Sequence, residues 1–385
     1  GKDFFISYRM NDHHYVTDLD WPSHNAIWRE HPEYWLGDSD TSPYTKKDDV
    51  RLFDYMRPEV RQYYFSIIEE LCARYDVDGV ELDFQRFPKF FRDADLKEGA
   101  AVMTALVRQI KGMMDGIGAA RGKTLRLCVR VPETLAKCGA AGLDVPGWDA
   151  AGLVDMINIS SFYMHTMELD IEGFRANTRR ARLYGEMNYV TAQQPKDKSA
   201  RRYTTFEIYR ASALNLFHRG ADGLSLFNYD YVPDKLRPAM AAGLRRITDI
   251  GFLRAQSKDY AVYPGFGTFP ANDERALEVI IPDDAHGGRF ERAALRVETS
   301  KSCEGLSIGA WLNGTALASR NHEGTELFPP LAQNAAYPTA ERLRFFDVPL
   351  ALVARGKNRV EIRNLDAGKA TCQFRSIEIG LYARP

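Results

Sequence analysis

The chain has 385 residues, with 51 Lys and Arg against 52 Asp and Glu, for a formal net charge of -1. Hydrophobic residues make up 45% and charged residues 27%, a balance that excludes intrinsic disorder, and the even charge excludes a dedicated nucleic-acid binder, which carries a basic excess. No apolar run approaches the roughly 20 residues that span a bilayer, and at about 150 residues per domain the length gives two or three domains, or one large barrel with an appendage.

In chain order, residues 1–250 repeat one unit: a short apolar strand, a loop and an amphipathic helix. The opening Gly1-Lys2-Asp3-Phe4-Phe5 is no signal peptide, though a trimmed leader leaves a secreted or periplasmic location open. Strands are expected at 4–10, 79–84, 125–131, 154–162, 184–190 and 223–229. Helical periodicity lies at 58–75, where Val60, Tyr64, Ile67, Ile68 and Leu71 recur at steps of three and four behind Pro58, and again at 102–114 and 206–217. Alternating strands and helices predict a parallel sheet with right-handed crossovers. After about residue 251 helical periodicity fades. Short β-rich runs (276–281, 294–298, 306–312, 343–348, 358–363, 374–381) with turns such as Asn313-Gly314 predict an all-β sandwich over 255–385. The five cysteines are scattered without a zinc-site spacing and read mostly as buried thiols.

Side chains alternate faces along a strand. In 79–85, Val80, Leu82 and Phe84 belong under helices, while Glu81, Asp83 and Gln85 point the other way. Ser7, Arg9 and Asn11 share one face of the first strand; Cys128 and Arg130, Asn158 and Ser160, and Glu186 and Asn188 do the same on later ones. A doubly wound sheet buries apolar residues on both faces, so this polar face predicts an α/β fold of the (β/α)8 TIM-type barrel class, with its site at the C-terminal mouth. Only six strand–helix units are visible where eight are needed. The expectation is that the first two are missing from this chain, because 12–57 is polar and rich in Trp, His, Asp and Pro.

Asp78-Gly79-Val80-Glu81-Leu82-Asp83-Phe84-Gln85 resembles the fourth-strand motif of glycoside hydrolase barrels. Family 18 chitinases carry Asp-Gly-x-Asp-x-Asp-x-Glu there; this chain has Glu81 in place of the middle Asp and Gln85 in place of the catalytic Glu. The segment is more similar to bacterial family 10-like putative glycoside hydrolases, with Tyr8-Arg9-Met10-Asn11-Asp12 ending a third strand, Pro88 following the fourth and Phe227-Asn228-Tyr229 ending an eighth. That likeness covers roughly residues 1 to 250. Residues 255–385 resemble the jelly-roll β-sandwich, carbohydrate-binding-like domains appended to many glycoside hydrolases, on Trp311-Leu312-Asn313-Gly314 and 356–360. The resemblance implies a glycoside hydrolase acting on a poly- or oligosaccharide, with no cofactor, no metal, no nucleic-acid partner and no membrane; the oligomeric state is not fixed by it.

Glycosidic hydrolysis needs two carboxyl groups, about 5 Å apart for retention and roughly 6.5–9.5 Å for inversion. By analogy with retaining barrels, Asp83 is expected as acid/base and Glu186 as nucleophile. Glu81, lying deeper, is expected to pair with Arg9 or Arg130, which act either as structural partners or as clamps for an anionic sugar. His13 is expected to bond a substrate hydroxyl, Asn11 to line the first strand's end, and Tyr163 with Asn188 to complete a polar cup. Asn228 and Asp230 close the last strand, Asp230 binding sugar hydroxyls or merely starting a turn. Asp12-His13-His14 invites a metal reading, but three adjacent residues cannot converge on one ion from a strand end. Trp28 and Trp35, seven apart, form either a core under the long loop with Trp21 or a sugar platform. Gln85 keeps a second reading open, a non-catalytic carbohydrate-binding barrel. Asp83→Asn is expected to abolish activity with little change in melting temperature.

Overall fold

Strand formation follows the apolar runs. The structure is a computed structural model. It describes every residue except 38–50, 86, 162–164, 195–196, 264–268, 271–276, 301–302, 321–326, 329–341 and 367–372. Contacts divide the chain into two units: Gly1–Phe162 with Leu169–Gly185, and Tyr163–Glu168 with Glu186–Pro385.

In the first unit, β1 (Phe5–Arg9), β2 (Gly79–Asp83), β3 (Arg126–Pro132), β4 (Met156–Ser160) and the start of β5 (Arg182–Asn188), whose residues from Glu186 on belong to the second unit, pair in parallel, each with its neighbour in sequence. The helices of this unit are α1 (Ala26–Glu30), α2 (Pro58–Arg74), α3 (Leu96–Ala120), α4 (Leu135–Ala140), α5 (Val145–Ala150) and α6 (Ile171–Asn177). Helix α2 starts on Pro58, where a missing N–H costs nothing, and buries Val60, Tyr64, Ile68 and Cys72, each four residues on. Helix α3 outruns its expected bounds by a turn or more at each end. Its face from Gly99 through Met103, Leu106, Val107, Ile110 and Met114 to Gly118 is continuously buried, and Gly99 lets the Phe91 ring lie on the backbone.

The six strands expected from sequence all form. Sheet order follows chain order, with β8 (Gly223–Phe227) after β5. A doubly wound sheet would reverse direction partway; this one does not. Among the described residues this sheet has six strands, the six strand–helix units counted in the sequence.

The second unit holds a hairpin of β6 (Val190–Gln194) and β7 (Asp197–Tyr203), which the sequence reading did not foresee, then α7 (Phe206–His218), β8, α8 (Arg237–Leu244) and α9 (Ile250–Ala255). Beyond residue 257 it is antiparallel. The strands are β9 (Lys258–Val262), β10 (Phe269–Pro270), β11 (Leu277–Ile281), β12 (Phe290–Thr299), β13 (Ile308–Leu312), β14 (Thr315–Ala316), β15 (Ala318–Arg320), β16 (Leu343–Val348), β17 (Gly356–Asn364) and β18 (Gln373–Ala383). One sheet runs β10-β18-β12-β16-β15 with β9 on β18, the other β11-β17-β13-β14. Leu295, Val297 and Ile379 of the first share a core with Val279, Ala310 and Ile362 of the second.

Helix α7 lies in the second unit, with the antiparallel sheets. Ile208 and Ala211 of α7 belong to that same core, and Asn215 Nδ2 donates to the Ile280 carbonyl at 2.8 Å. Helix α7 is therefore welded to the antiparallel sheets. Cys72, Cys128 and Cys138 are buried free thiols, as expected of most cysteines, whereas Cys303 is disulfide-bonded.

Candidate functional site

Register builds the first unit's polar face in rows. Arg9 of β1 stands opposite Asp83 of β2, Asp83 opposite Arg130 of β3, and Arg130 opposite Asn158 of β4. One step nearer the N-termini lie Ser7, Glu81, Cys128 and Met156. The opposite faces of β1 and β2 are apolar: Val80, Leu82 and Phe84 are fully buried, Phe84 lies 5.6 Å from the Trp148 ring of α5, and Tyr8 meets Tyr64 of α2 at 5.7 Å. The alternation predicted from sequence places these side chains correctly.

The partners differ from expectation. Asp83, 6% exposed, accepts from Arg130 Nη1 at 2.9 Å and from the Gln85 backbone N–H at 3.1 Å, both on Oδ1. Arg130, 1% exposed, also donates from Nη2 to Ser160 Oγ at 2.7 Å. Glu81 is not the arginine's partner. Ser7 Oγ donates to its Oε1 at 2.7 Å, while Asn158 Nδ2 at 3.2 Å and the Cys128 thiol at 3.5 Å serve Oε2. The reason is register: Arg130 is level with Asp83, one side-chain step beyond Glu81. Glu81 is thus spent on neutral neighbours, whereas Asp83 Oδ2 has no partner among the described residues. Just beyond β2, Gln85 is fully buried and neither its Oε1 nor its Nε2 has a hydrogen-bond partner there.

Arg9 turns away from Glu81 and pairs with Asp12, whose other oxygen meets His14 Nδ1 at 2.5 Å and accepts the His14 backbone N–H at 2.9 Å. Burial works against the Asp12 charge, but the His14 bonds and the Arg9 guanidinium together hold its carboxyl well below the usual range. His13 lies 4.8 Å from the Phe87 ring. Phe87 has φ +79°, a strained value for an aromatic residue, and strain of this kind clusters at functional sites. Asn11 is structural: its amide donates to the Phe53 and Lys89 carbonyls at 3.1 and 2.9 Å, tying two loops to the end of β1. Among the described residues no three His, Cys, Asp or Glu side chains are placed to hold a metal ion.

The tryptophans divide. Trp28 is buried with Nε1 on the Arg51 carbonyl, and Trp35 packs 4.9 Å from it with Nε1 on the Trp28 carbonyl, a small core under the loop. Trp21 instead stacks at 3.8 Å on Tyr15, which is 53% exposed at φ +60°. The sequence reading missed Tyr15 and Phe87, since a left-handed backbone leaves no pattern when the residue is neither Gly nor Asn.

In the second unit, Glu186 is buried and accepts from Asn188 Nδ2 at 3.1 Å. The Asn188 carbonyl receives Thr204 Oγ1 and the Tyr209 hydroxyl, so its backbone anchors α7. Asn228 adopts φ +54° beyond β8, and its carbonyl accepts the Tyr231 N–H in the turn that follows. Asp230 is exposed, and its carbonyl accepts from Arg237 at 2.7 Å, the turn reading. Tyr163 lies outside the described residues.

No family model matches the chain, and no curated protein does. The solved structures similar to it include a family 18 N-acetylglucosaminidase from Paenibacillus barengoltzii (12% identity, 49% of this chain and 77% of that one, TM-score 0.38). The glycoside hydrolase domain of PgaB (BpsB) from Bordetella bronchiseptica is another, at 12% identity over 56% and 69% with TM-score 0.41. A third is an endo-β-1,4-mannanase from Thermotoga petrophila, at 11% over 84% and 72% with TM-score 0.39. Likeness at this level assigns neither a family nor an activity, and the family 10-like resemblance stays one of motifs.

Proposed function

We propose that the chain is a glycoside hydrolase whose carbohydrate site includes Asp83 at the C-terminal end of β2. The observation that carries the reading is the division of labour within one carboxylate: Oδ1 is fixed by Arg130 and the Gln85 N–H, and Oδ2 has no partner among the described residues. The adjacent Gln85 amide brings an acceptor and donors. A sugar hydroxyl is both donor and acceptor, so the pair matches carbohydrate chemistry. The exposed Tyr15–Trp21 stack supplies an apolar ring surface of the kind pyranose faces cover.

An ion-paired carboxylate suits a nucleophile or a stabiliser of oxocarbenium charge better than a proton donor. Asp83 is therefore assigned the anionic role rather than the acid role that analogy gave it. Glu186, a buried carboxylate near the C-terminal end of β5, is kept as the proposed second carboxylate on its chemistry alone. The 255–385 segment is proposed as a jelly-roll, carbohydrate-binding-like sandwich.

The test is turnover across a broad glycan panel. Asp83→Asn is expected to lower it by about a hundredfold or more, and Glu186→Gln in the same assay reads out the second carboxylate. Wild-type turnover by Asp83→Asn overturns the assignment. Gln85, standing where the family 18 motif has its acid, favours a second reading, a lectin-like barrel: saturable glycan binding with no turnover on any member of the panel selects it.

A further inference from the structure

At the opposite end of the parallel sheet from Asp83, the first unit holds a polar cavity of about 780 Å³. Arg126 and Arg182, the first residues of β3 and β5, line it with Arg180, and so do Phe5 and Tyr184. Its two carboxylates are already committed: Asp3 pairs with Arg126 at 2.6 Å, and Asp155 accepts the Leu127 N–H at 2.8 Å and lies 3.4 Å from Lys111. Arg180 and Arg182 have no carboxylate partner among the described residues. Both are exposed where they line the cavity, so an anion entering it meets two cationic side chains with no carboxylate to compete for them among the described residues.

The loop that presents them is built rather than loose. Asp149, buried in α5, spends both carboxylate oxygens on successive backbone N–H groups: Arg179 at 2.7 Å, Arg180 at 3.0 Å and Ala181 at 2.7 Å. This fixes the course of Arg179-Arg180-Ala181-Arg182 from inside. Gly152, at φ +67°, flanks the other side, where a Cβ would stand 3.5 Å from the Arg180 guanidinium, an ordinary packing distance. Guanidinium forks match tetrahedral oxyanions with paired N–H groups, and the aromatic rings suit an organic body behind the charge.

We propose that this cavity binds a small organic molecule bearing a phosphate or sulfate group, with Arg180 and Arg182 holding the oxyanion. The proposal is independent of the assignment of Asp83. The test is calorimetric titration of the whole chain at low salt with 4-nitrophenyl phosphate, 4-nitrophenyl sulfate, 4-nitrophenol, inorganic phosphate and inorganic sulfate. One ester is expected to bind at one site per chain and more tightly than its inorganic ion, the better ester identifying the oxyanion, with no binding of 4-nitrophenol. R180A/R182A is expected to weaken that ester by about tenfold or more, the loss of charge-assisted hydrogen bonds. Its melting temperature should hold, because Asp149 grips backbone rather than side chains. R74A/K97A, which removes two cations elsewhere, should leave the affinity unchanged. Equal affinity in R180A/R182A and wild type, or 4-nitrophenol binding as well as its esters, overturns the proposal; so does an inorganic ion as tight as either ester.

Discussion

Asp83 and Arg130 are both buried, and that sets the cost of touching either one. Removing one partner strands the other charge, so Arg130→Ala is expected to destabilise by about 3–5 kcal/mol in urea unfolding. Asp83→Asn will lower the melting temperature as well, against the sequence-based expectation of little change. Asp83→Asn/Arg130→Gln removes both charges and should recover part of the loss without recovering turnover, which separates the structural role from the chemical one. Two residues of the second unit give a pH test. Burial pushes Asp259 up to about 7, outweighing the Arg296 charge, and burial drops His165 to about 3. Folding therefore takes up a proton at Asp259 between about pH 4 and 7, a contribution lost as pH rises through that window; at His165 folding releases one between about 6.5 and 3, a contribution lost as pH falls. The two slopes oppose, each at most about 1.4 kcal/mol per pH unit. Stability of Asp259→Asn should then rise from pH 4 to 6.5 and that of His165→Gln should fall, read from denaturant midpoints across the range.

At the level of strands and helices, close approach decides what is tolerated. Gly79 opens β2 with its α-carbon against the Arg126 carbonyl and the Phe5 ring; a Cβ there would come within 2.3 Å of both. Gly79→Ala is expected to cost about 1–3 kcal/mol by forcing β1 and β3 apart, measurable as a lowered urea midpoint. Much of this layer was legible in the sequence. The six strands are compact apolar runs, and the two-residue period correctly set Glu81 and Asp83 against Val80, Leu82 and Phe84. Register was not legible. Period fixes a face, but which arginine stands level with which carboxylate depends on how far β3 slides along β2, and no residue of either strand encodes that alone. The β6–β7 hairpin was missed for a related reason: Val190 reads as the end of one strand until a neighbouring strand claims it.

For the molecule as a whole, the change of sequence grammar near residue 251 marks where helices stop, and a helix before it packs on the sheets that follow. An amphipathic helix advertises that it has an apolar stripe without saying which sheet the stripe will meet. Helix α7, taken from its sequence position for part of the barrel, gives Ile208 and Ala211 to the core of the antiparallel sheets and ties Asn215 to β11. A fragment ending at residue 250 would carry that stripe bare into water, together with an unsatisfied Asn215 amide. Such a fragment is expected to aggregate on expression and to scatter light after refolding, whereas the intact chain stays dispersed. Attempts to isolate a minimal catalytic piece by trimming the β-rich tail would then fail for reasons of solubility, whatever that tail contributes to binding.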